Sequence, residues 1–325
     1  MLDWRRPRRN APHAPRRPPT TAQLLRGAGL SGRLQREIEL ATGRLVELGG
    51  ITPTLATILV GSDPSALAYR SSILRTLRRV PIEHRAVDLP IETDASGLVA
   101  TLDALSVDPV TTGILVLMPL PPHLTATLVH EHLSPLKDVD GITPVNAGRL
   151  HMGLPSLHPS TPQGGIELLD HYGVEMAGRR VVVIGRSNVV GRPLASLFTQ
   201  RDATVTVCHR RTVDFRGICR EADILAVAAG SAGLVTVGMV KPGAVVLDFG
   251  VNVVEGSIVG DVAFDEVAGV AGAITPVPGG TGPVTALVLA RNTVAAGFAA
   301  RGGSLDAVQH LHDMVAELAP PPSLD

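Results

Sequence analysis

The sequence predicts an α/β protein of two domains, each built on a doubly wound parallel sheet. Three observations predict it. At 325 residues the chain is about twice the usual domain length. Short apolar runs such as "TLATILV", "GILVLMPLP" and "RRVVVIG" alternate with amphipathic stretches, the pattern of buried parallel strands joined by helices. Between two such alternations, residues 134 to 162 carry turn-formers and prolines without long periodicity, which reads as a domain junction.

Taken in order, the first helix is expected from Ser31, a plausible cap, through "SGRLQREIELATGRLVEL", with "TLATILV" following as a buried strand. The next helix has Ser62 or Asp63 as N-cap and Pro64 near its first position. "IEHRAVDL" reads as a strand, residues 94 to 106 as a helix and "GILVLMPLP" as another strand. After the junction, "RRVVVIG", "ATVTV", "DILAVAA" and "GAVVLDFG" supply the second set of strands, without a fixed-period repeat. The last clear helix spans residues 283 to 300, and "SLDAVQHLHDMVAEL" adds a shorter one before a proline-rich end. The longest uncharged run, residues 224 to 240, has Gly, Ser and Thr inside it and reads as strand, turn and helix start rather than a membrane span.

Composition narrows the function classes. A formal net charge of -1 gives no global electrostatic case for nucleic acid or an anionic membrane surface, so a soluble globular protein is expected. The six arginines of "MLDWRRPRRNAPHAPRRPP" are a local exception, read as a disordered tail over residues 1 to 20, with a targeting or polyanion-binding arm as the alternative. No apolar stretch follows the arginine pairs, as an export signal requires. Cys208 and Cys219 do not form a CxxC pair, which fits a reducing compartment. His123, His130 and His132 lack the HExxH spacing, and no metal is expected.

The strongest local signal is "VVVIGRSNVVGRPLASLF". Gly185 ends an apolar strand and Gly191 opens an amphipathic helix, the arrangement in which backbone N–H groups and a helix N-terminus hold a pyrophosphate. It is not GxGxxG, and a plain strand-to-helix turn is the alternative. About 20 residues further on, where dinucleotide folds read the adenosine ribose, stands "CHRRT". An acidic residue there would accept from a free 2′-hydroxyl, whereas the guanidinium groups of Arg210 and Arg211 suit a 2′-phosphate, so NADP is expected over NAD. A solvated basic turn is the alternative.

"GRSNVVGRP", "KPGAVVLDFGVN", "GDV" and above all "ITPVPGGTGPVT" resemble the methylenetetrahydrofolate dehydrogenase/methenyltetrahydrofolate cyclohydrolase family, the FolD type. So do "VGSDPSALAY", "GILVLMPLP", "KDVDGITPVNAGRL" and "PSTPQG", in collinear order over roughly residues 22 to 300. The resemblance implies two α/β domains flanking a cleft, the C-terminal one a Rossmann-like NAD(P)-binding domain, in a cytoplasmic homodimer. It implies a folate domain over residues 21–157 joined by C-terminal helices at 284–318, and an NADP domain over 158–283. It implies cofactor contacts at Gly185, Arg186, Ser187, Gly191, His209, Arg210, Arg211 and Asn252, and a cleft lined by Pro278, Gly279 and Gly280.

The opening helix departs from that family. Its pattern there is Ser-x-x-Tyr-x-x-x-Lys, with the tyrosine over the folate ring and the lysine in proton transfer. Tyr69 matches, but Ala66 stands at the serine position and Ile73 at the lysine position. Leu117 replaces the family glutamine, while Asp140 matches the aspartate at the pterin edge. The resemblance implies two reactions on tetrahydrofolate. Hydride removal from 5,10-methylenetetrahydrofolate needs alignment and no proton acceptor, because N5 and N10 delocalise the cation. Hydrolysis of the methenyl product needs proton removal and delivery, help worth about 10²- to 10⁴-fold. The expected outcome is a dehydrogenase with cyclohydrolase lost or weak. Nearby Ser72 is a poor acid and Arg75 points away from Tyr69. An oxidoreductase of another substrate and a silent nucleotide-binding paralogue are the alternatives, as are a packing role for Tyr69 and a turn-capping role for Asp140.

Overall fold

The computed structural model describes residues 22–308. The arginine-rich tail and most of the 304–318 segment lie outside them. The first half contains β1 (Gln23–Leu24), α1 (Ala28–Gly49), β2 (Thr54–Val60), α2 (Pro64–Leu77), β3 (Glu83–Leu89), α3 (Ala95–Val107), β4 (Gly113–Val116), α4 (Ala126–His132) and α5 (Pro144–His151). The second half follows with α6 (Ser160–His171), β5 (Arg180–Ile184), α7 (Gly191–Gln200), β6 (Thr204–Cys208), α8 (Phe215–Arg220), β7 (Ile224–Val227) and β8 (Val245–Asp248). It ends with the hairpin β9 (Asn252–Val254) and β10 (Ser257–Val259), α9 (Phe264–Ala268), β11 (Ala273–Ile274) and α10 (Gly282–Gly302).

The first sheet is parallel with order β3-β2-β4, and every residue of the central β2 is buried. Strand alternation sends Leu55 and Leu59 toward α1, α2 and α10, while Ala56, Ile58 and Val60 pack with Leu98, Leu102 and Leu105 of α3. Helices therefore cover both faces. Asp63, not Ser62, caps α2: its carboxylate accepts from the N–H groups of Ser65 (2.8 Å) and Ala66 (3.0 Å), and Pro64 occupies the first turn.

Three expectations need correction, and one strand adds to them. Helix α1 begins at Ala28 rather than Ser31, because Gly27 N–H is already engaged by the Gly279 carbonyl (3.0 Å) and the Ser31 hydroxyl donates back to Gly27 (2.9 Å). The strand in "GILVLMPLP" stops at Val116, since Pro119, Pro121 and Pro122 lack the N–H that a ladder requires. The 134–162 stretch contains α5, started by Thr143, whose hydroxyl accepts from Asn146 N–H (3.3 Å), and by Pro144. Finally β1, inside the first alternation, pairs in parallel with β11 and so belongs to the second sheet.

That second sheet is parallel throughout, in the order β1-β11-β8-β7-β5-β6. The chain runs from β5 outward to β6 and then returns to the other side of β5 as β7. The carboxyl ends of β5 and β7 thus flank a topological switch point, where such sheets bind ligands. The apolar run at 224–240 resolves into β7, a loop and a short 3-10 turn at Val237–Met239.

Helix α10 is long and apolar enough to cross a membrane, but it is a core helix, with Val284, Leu287, Val288, Leu289, Val294 and Ala296 all buried. Each of these valines and leucines contributes about 1.5–3 kcal/mol by leaving water. It runs back from the second sheet to pack on α1, α2, α6 and β4. Gly113 allows the approach to β4, because a Cβ there would stand 3.2 Å from the Thr293 methyl group. One contiguous buried cluster consequently includes β2 and β4 residues of the first sheet and Val181, Val183, Ala226 and Leu247 of the second.

Candidate active site

At the end of β5 the backbone closes into a tight turn. Gly185 has φ +120, and a Cβ on it would lie 3.0 Å from the Ala228 carbonyl carbon at the end of β7. A Cβ on Gly191 would lie 2.8 Å from Arg186 N and closer still to the Gly185 carbonyl. Both positions need glycine so that the turn can fold onto the N-terminus of α7. The Ser187 hydroxyl accepts from the N–H groups of Val190 (3.1 Å) and Gly191 (3.4 Å), holding the turn, while Arg186, Ser187 and Asn188 stay exposed at its rim.

Beyond β6, His209 N–H donates to the Thr212 hydroxyl (2.8 Å) and Thr212 N–H to the His209 carbonyl (2.8 Å). Arg210 and Arg211 project from this turn, exposed, and among the described residues neither has a carboxylate within ion-pair distance. The strand order places their turn at the end of β6, next to β5 and its glycine turn. A cradle that a side chain would fill, a helix N-terminus and two uncommitted guanidinium groups fit a phosphorylated dinucleotide.

The loop after β7 is fixed from beneath. The buried Asp261 carboxylate accepts from the N–H groups of Ala229 (2.7 Å), Gly230 (2.9 Å) and Ser231 (2.8 Å). Asn252, expected as a cofactor contact, directs its amide N–H at Asp261 (2.9 Å), so its donors serve this scaffold. Asp248 stands behind it, accepting from Gly250, Asp261 and Val262, and burial pushes its carboxyl up to about 6.

Tyr69 and Asp140, 71 positions apart in the chain, come together. Tyr69 is 37% exposed on α2. Burial of its hydroxyl end, and secondarily the Asp140 carboxylate, push the phenol above its ordinary range, while Ser160 on α6 draws it down. Burial and the nearby Asp138 raise the Asp140 carboxyl to about 7, against a lowering contribution from the same Ser160. Phenol, carboxyl and hydroxyl therefore share one site. Ser160 went unnoticed in sequence, although "PSTPQG" flags the segment.

Ala66 and Ile73 share helix α2 with Tyr69, and Leu117 follows β4. Ala66, Ile73 and Leu117 are 0%, 0% and 1% exposed, within the hydrocarbon cluster that includes Leu55, Leu59, Leu77 and Leu115. Ile73 is one helical turn past Tyr69, yet it faces packing rather than solvent. Ser72 is half-buried and Arg75 exposed.

The loop 278–280 joins β11 to α10. Pro278 is exposed, Gly279 has φ +104, and the Gly279 carbonyl accepts from Gly27 N–H. At Gly280 a Cβ would lie 2.8 Å from the Thr275 Cβ, so glycine keeps the loop flat against the sheet end. Helix α6 is closely packed beneath, and Gly164 lies where a Cβ would be 3.2 Å from Val284. Its buried Glu167 pairs with Arg291 of α10, one bond being 3.1 Å, and Arg291 also reaches Glu37 of α1 (3.3 Å). Burial pushes Glu167 up, but the charge and hydrogen bonds of Arg291 prevail and hold its carboxyl low.

Comparison with known proteins follows the same division. Residues 25–140 match the tetrahydrofolate dehydrogenase/cyclohydrolase catalytic domain, and residues 159–300 match the NAD(P)-binding domain of the same family. A protein of Chloroflexus aurantiacus named bifunctional protein FolD is 51% identical over 277 residues, covering 85% of this chain and 97% of its own. The crystal structure of the bifunctional FolD methylenetetrahydrofolate dehydrogenase/cyclohydrolase of Campylobacter jejuni superposes with a TM-score of 0.82 at 40% identity, covering 85% and 98% of the two chains. That of the Trypanosoma brucei enzyme, complexed with NADP and an inhibitor, gives 0.80 at 34% identity, covering 87% and 99%. With both domains matched in order and a relative 51% identical over 85% of its length, the chain belongs to the tetrahydrofolate dehydrogenase/cyclohydrolase family.

Proposed function

We propose that the protein is an NADP-dependent 5,10-methylenetetrahydrofolate dehydrogenase whose methenyltetrahydrofolate cyclohydrolase activity is lost or weak. One observation carries the second half: Ile73, Ala66 and Leu117, at the positions where the family pattern holds its proton-handling groups, are buried in hydrocarbon. None can ionise or relay a proton.

In this reading Tyr69 lies against the folate ring, Asp140 hydrogen-bonds its pterin edge, and Pro278, Gly279 and Gly280 line the cleft between them and the cofactor. Gly185 and Gly191 let the pyrophosphate approach, with Arg186 and Ser187 at the rim and His209, Arg210 and Arg211 reading the 2′-phosphate. Asn252 acts through Asp261. NADP, when bound, supplies the hydride acceptor. The protein's residues hold the one-carbon bridge in line and exclude water. N5 and N10 carry the resulting positive charge, so no side chain need accept a proton. Residues 21–157 with 284–318 form the folate domain, 158–283 form the NADP domain, and the working form is a cytoplasmic homodimer.

A bifunctional enzyme is the second reading, favoured by the naming of the 51%-identical relative. The assay follows NADPH absorbance with methylenetetrahydrofolate and NADP, then with NAD, and separately follows loss of the methenyl compound. NADPH formation with hydrolysis at the uncatalysed rate supports the proposal. Hydrolysis well above that rate establishes the bifunctional reading, and absence of NADPH formation removes both.

A further inference from the structure

Asn292 lies on α10, 7% exposed, and its role is written in its partners. Its amide nitrogen donates to the carbonyl of Val139 (2.8 Å) and to the carbonyl of His158 (2.8 Å). Both partners are acceptors only, so the NH₂ end must face them. Val139 immediately precedes Asp140. His158 stands two residues before Ser160. The two loops also meet directly: Gly141 has φ +61, and a Cβ on it would lie 2.8 Å from Pro159 N and 2.9 Å from the His158 carbonyl carbon.

We propose that Asn292 is a positioning residue for the folate pocket: through these two hydrogen bonds it sets the spacing between the loop bearing Asp140 and the loop bearing Ser160. This rests on the function proposed above, because it assigns the pocket's geometry to a helix that follows the NADP domain in the chain. The far side of the same loops is held separately. Asn146 donates to the Asp138 carboxylate (2.9 Å) and its side-chain oxygen accepts from Leu157 N–H (3.2 Å). Loss of Asn292 therefore loosens the pocket while the junction remains tied.

The charged and titratable groups facing Asp140 are Asp138 from its own loop and Tyr69 from α2, with the Ser160 hydroxyl opposite. A shift of either loop changes that set. Asn292→Leu keeps the branched outline and removes both donors, and Asn292→Gln keeps the donors one methylene further out.

The test measures KM for methylenetetrahydrofolate, kcat and NADP affinity in the full-length protein, together with the titration of the Asp140 carboxyl by NMR, assigned with Asp140→Asn. Asn292→Leu is expected to raise the folate KM about tenfold or more, as misplacement of pocket groups does, and to leave NADP affinity within about twofold, since both Asn292 hydrogen bonds go to the loops bearing Asp140 and Ser160 and none to the glycine turn. The Asp140 midpoint should move from its wild-type value, with Asn292→Gln recovering part of both changes. A lowered melting temperature with unchanged KM and unchanged Asp140 midpoint would overturn the proposal, leaving Asn292 a packing residue. If the wild type oxidises no methylenetetrahydrofolate, the functional reading fails, and the Asp140 midpoint alone then decides: moved, it supports the clamp; unmoved, it overturns it. Should Asn292→Leu not fold, Asn292→Gln is read by the same two measurements, where a moved midpoint supports and an unmoved one overturns.

Discussion

Restoring the lysine of the family pattern, Ile73→Lys, places an ammonium where the side chain is fully buried beside Ala66 and Leu117 positions that offer no acceptor. Replacing a buried aliphatic side chain here already sacrifices packing, and the charge adds a larger penalty. A lysine that must be neutral in the folded protein costs about 1.36 kcal/mol for each unit between its free pKa near 10.4 and the solution pH, or about 5 kcal/mol at pH 7. That is a large part of a typical stability of about 5–15 kcal/mol. The sign follows from linkage: the folded pKa is depressed, the unfolded chain binds the extra proton, and stability rises with pH until about 10.4. Thermal melts of Ile73→Lys between pH 7 and pH 10 should therefore show a deficit that shrinks steadily as pH rises, alongside methenyl hydrolysis still near the uncatalysed rate. Wild-type melting at pH 7, with hydrolysis restored, would refute the reasoning, because it would mean the ammonium reaches the cleft and finds water there. The triple variant Ala66→Ser, Ile73→Lys, Leu117→Gln should lose less stability than Ile73→Lys alone, since it supplies the missing polar partners.

Removing the basic pair with Arg210→Ser and Arg211→Ser should raise the KM for NADP by about 10- to 100-fold, as charged hydrogen bonds of about 1.5–3 kcal/mol imply, and leave the KM for NAD nearly unchanged; steady-state kinetics with both cofactors check this. Gly191→Ala forces a methyl against the Gly185 carbonyl and Arg186 N, so it should weaken NADP binding and lower stability by about 1–3 kcal/mol, read by cofactor titration and denaturant melts. The Asp140 carboxyl is raised to about 7, so its favourable contribution is present at acid pH and is lost as pH rises through about 7. Asp140→Asn should then melt above the wild type at pH 8 and lose that advantage toward pH 4, while its folate KM increases.

Much of the candidate site was readable because its devices are local. Glycines 185 and 191 bracket one turn, "CHRRT" follows within one strand, and "PVPGGTGP" announces a loop that only small residues can form. Asp63 and Pro64 likewise mark the start of α2. Thr143 and Pro144 carry the same signal for α5, but the prolines around them obscured it. What could not be read depends on distant partners. Arg291 finds Glu167 across 124 positions, and Asn292 finds Val139 across 153. On paper these are two polar residues in an apolar helix. Strand β1 has two residues, too few for any periodicity to register, and its place is fixed by the ladder it makes with Ala273 and Ile274. The burial of Ile73 follows from chemistry, whereas the convergence of Tyr69, Asp140 and Ser160 follows from topology.

Because α10 supplies one wall of the first sheet's core, that half of the molecule cannot finish assembling on the ribosome when its own strands emerge. Its leucines must wait, exposed and available to chaperones, until residue 302 has cleared the exit tunnel. A nascent chain arrested before α10 should remain protease-sensitive in that half, and the protein should mature in one late step.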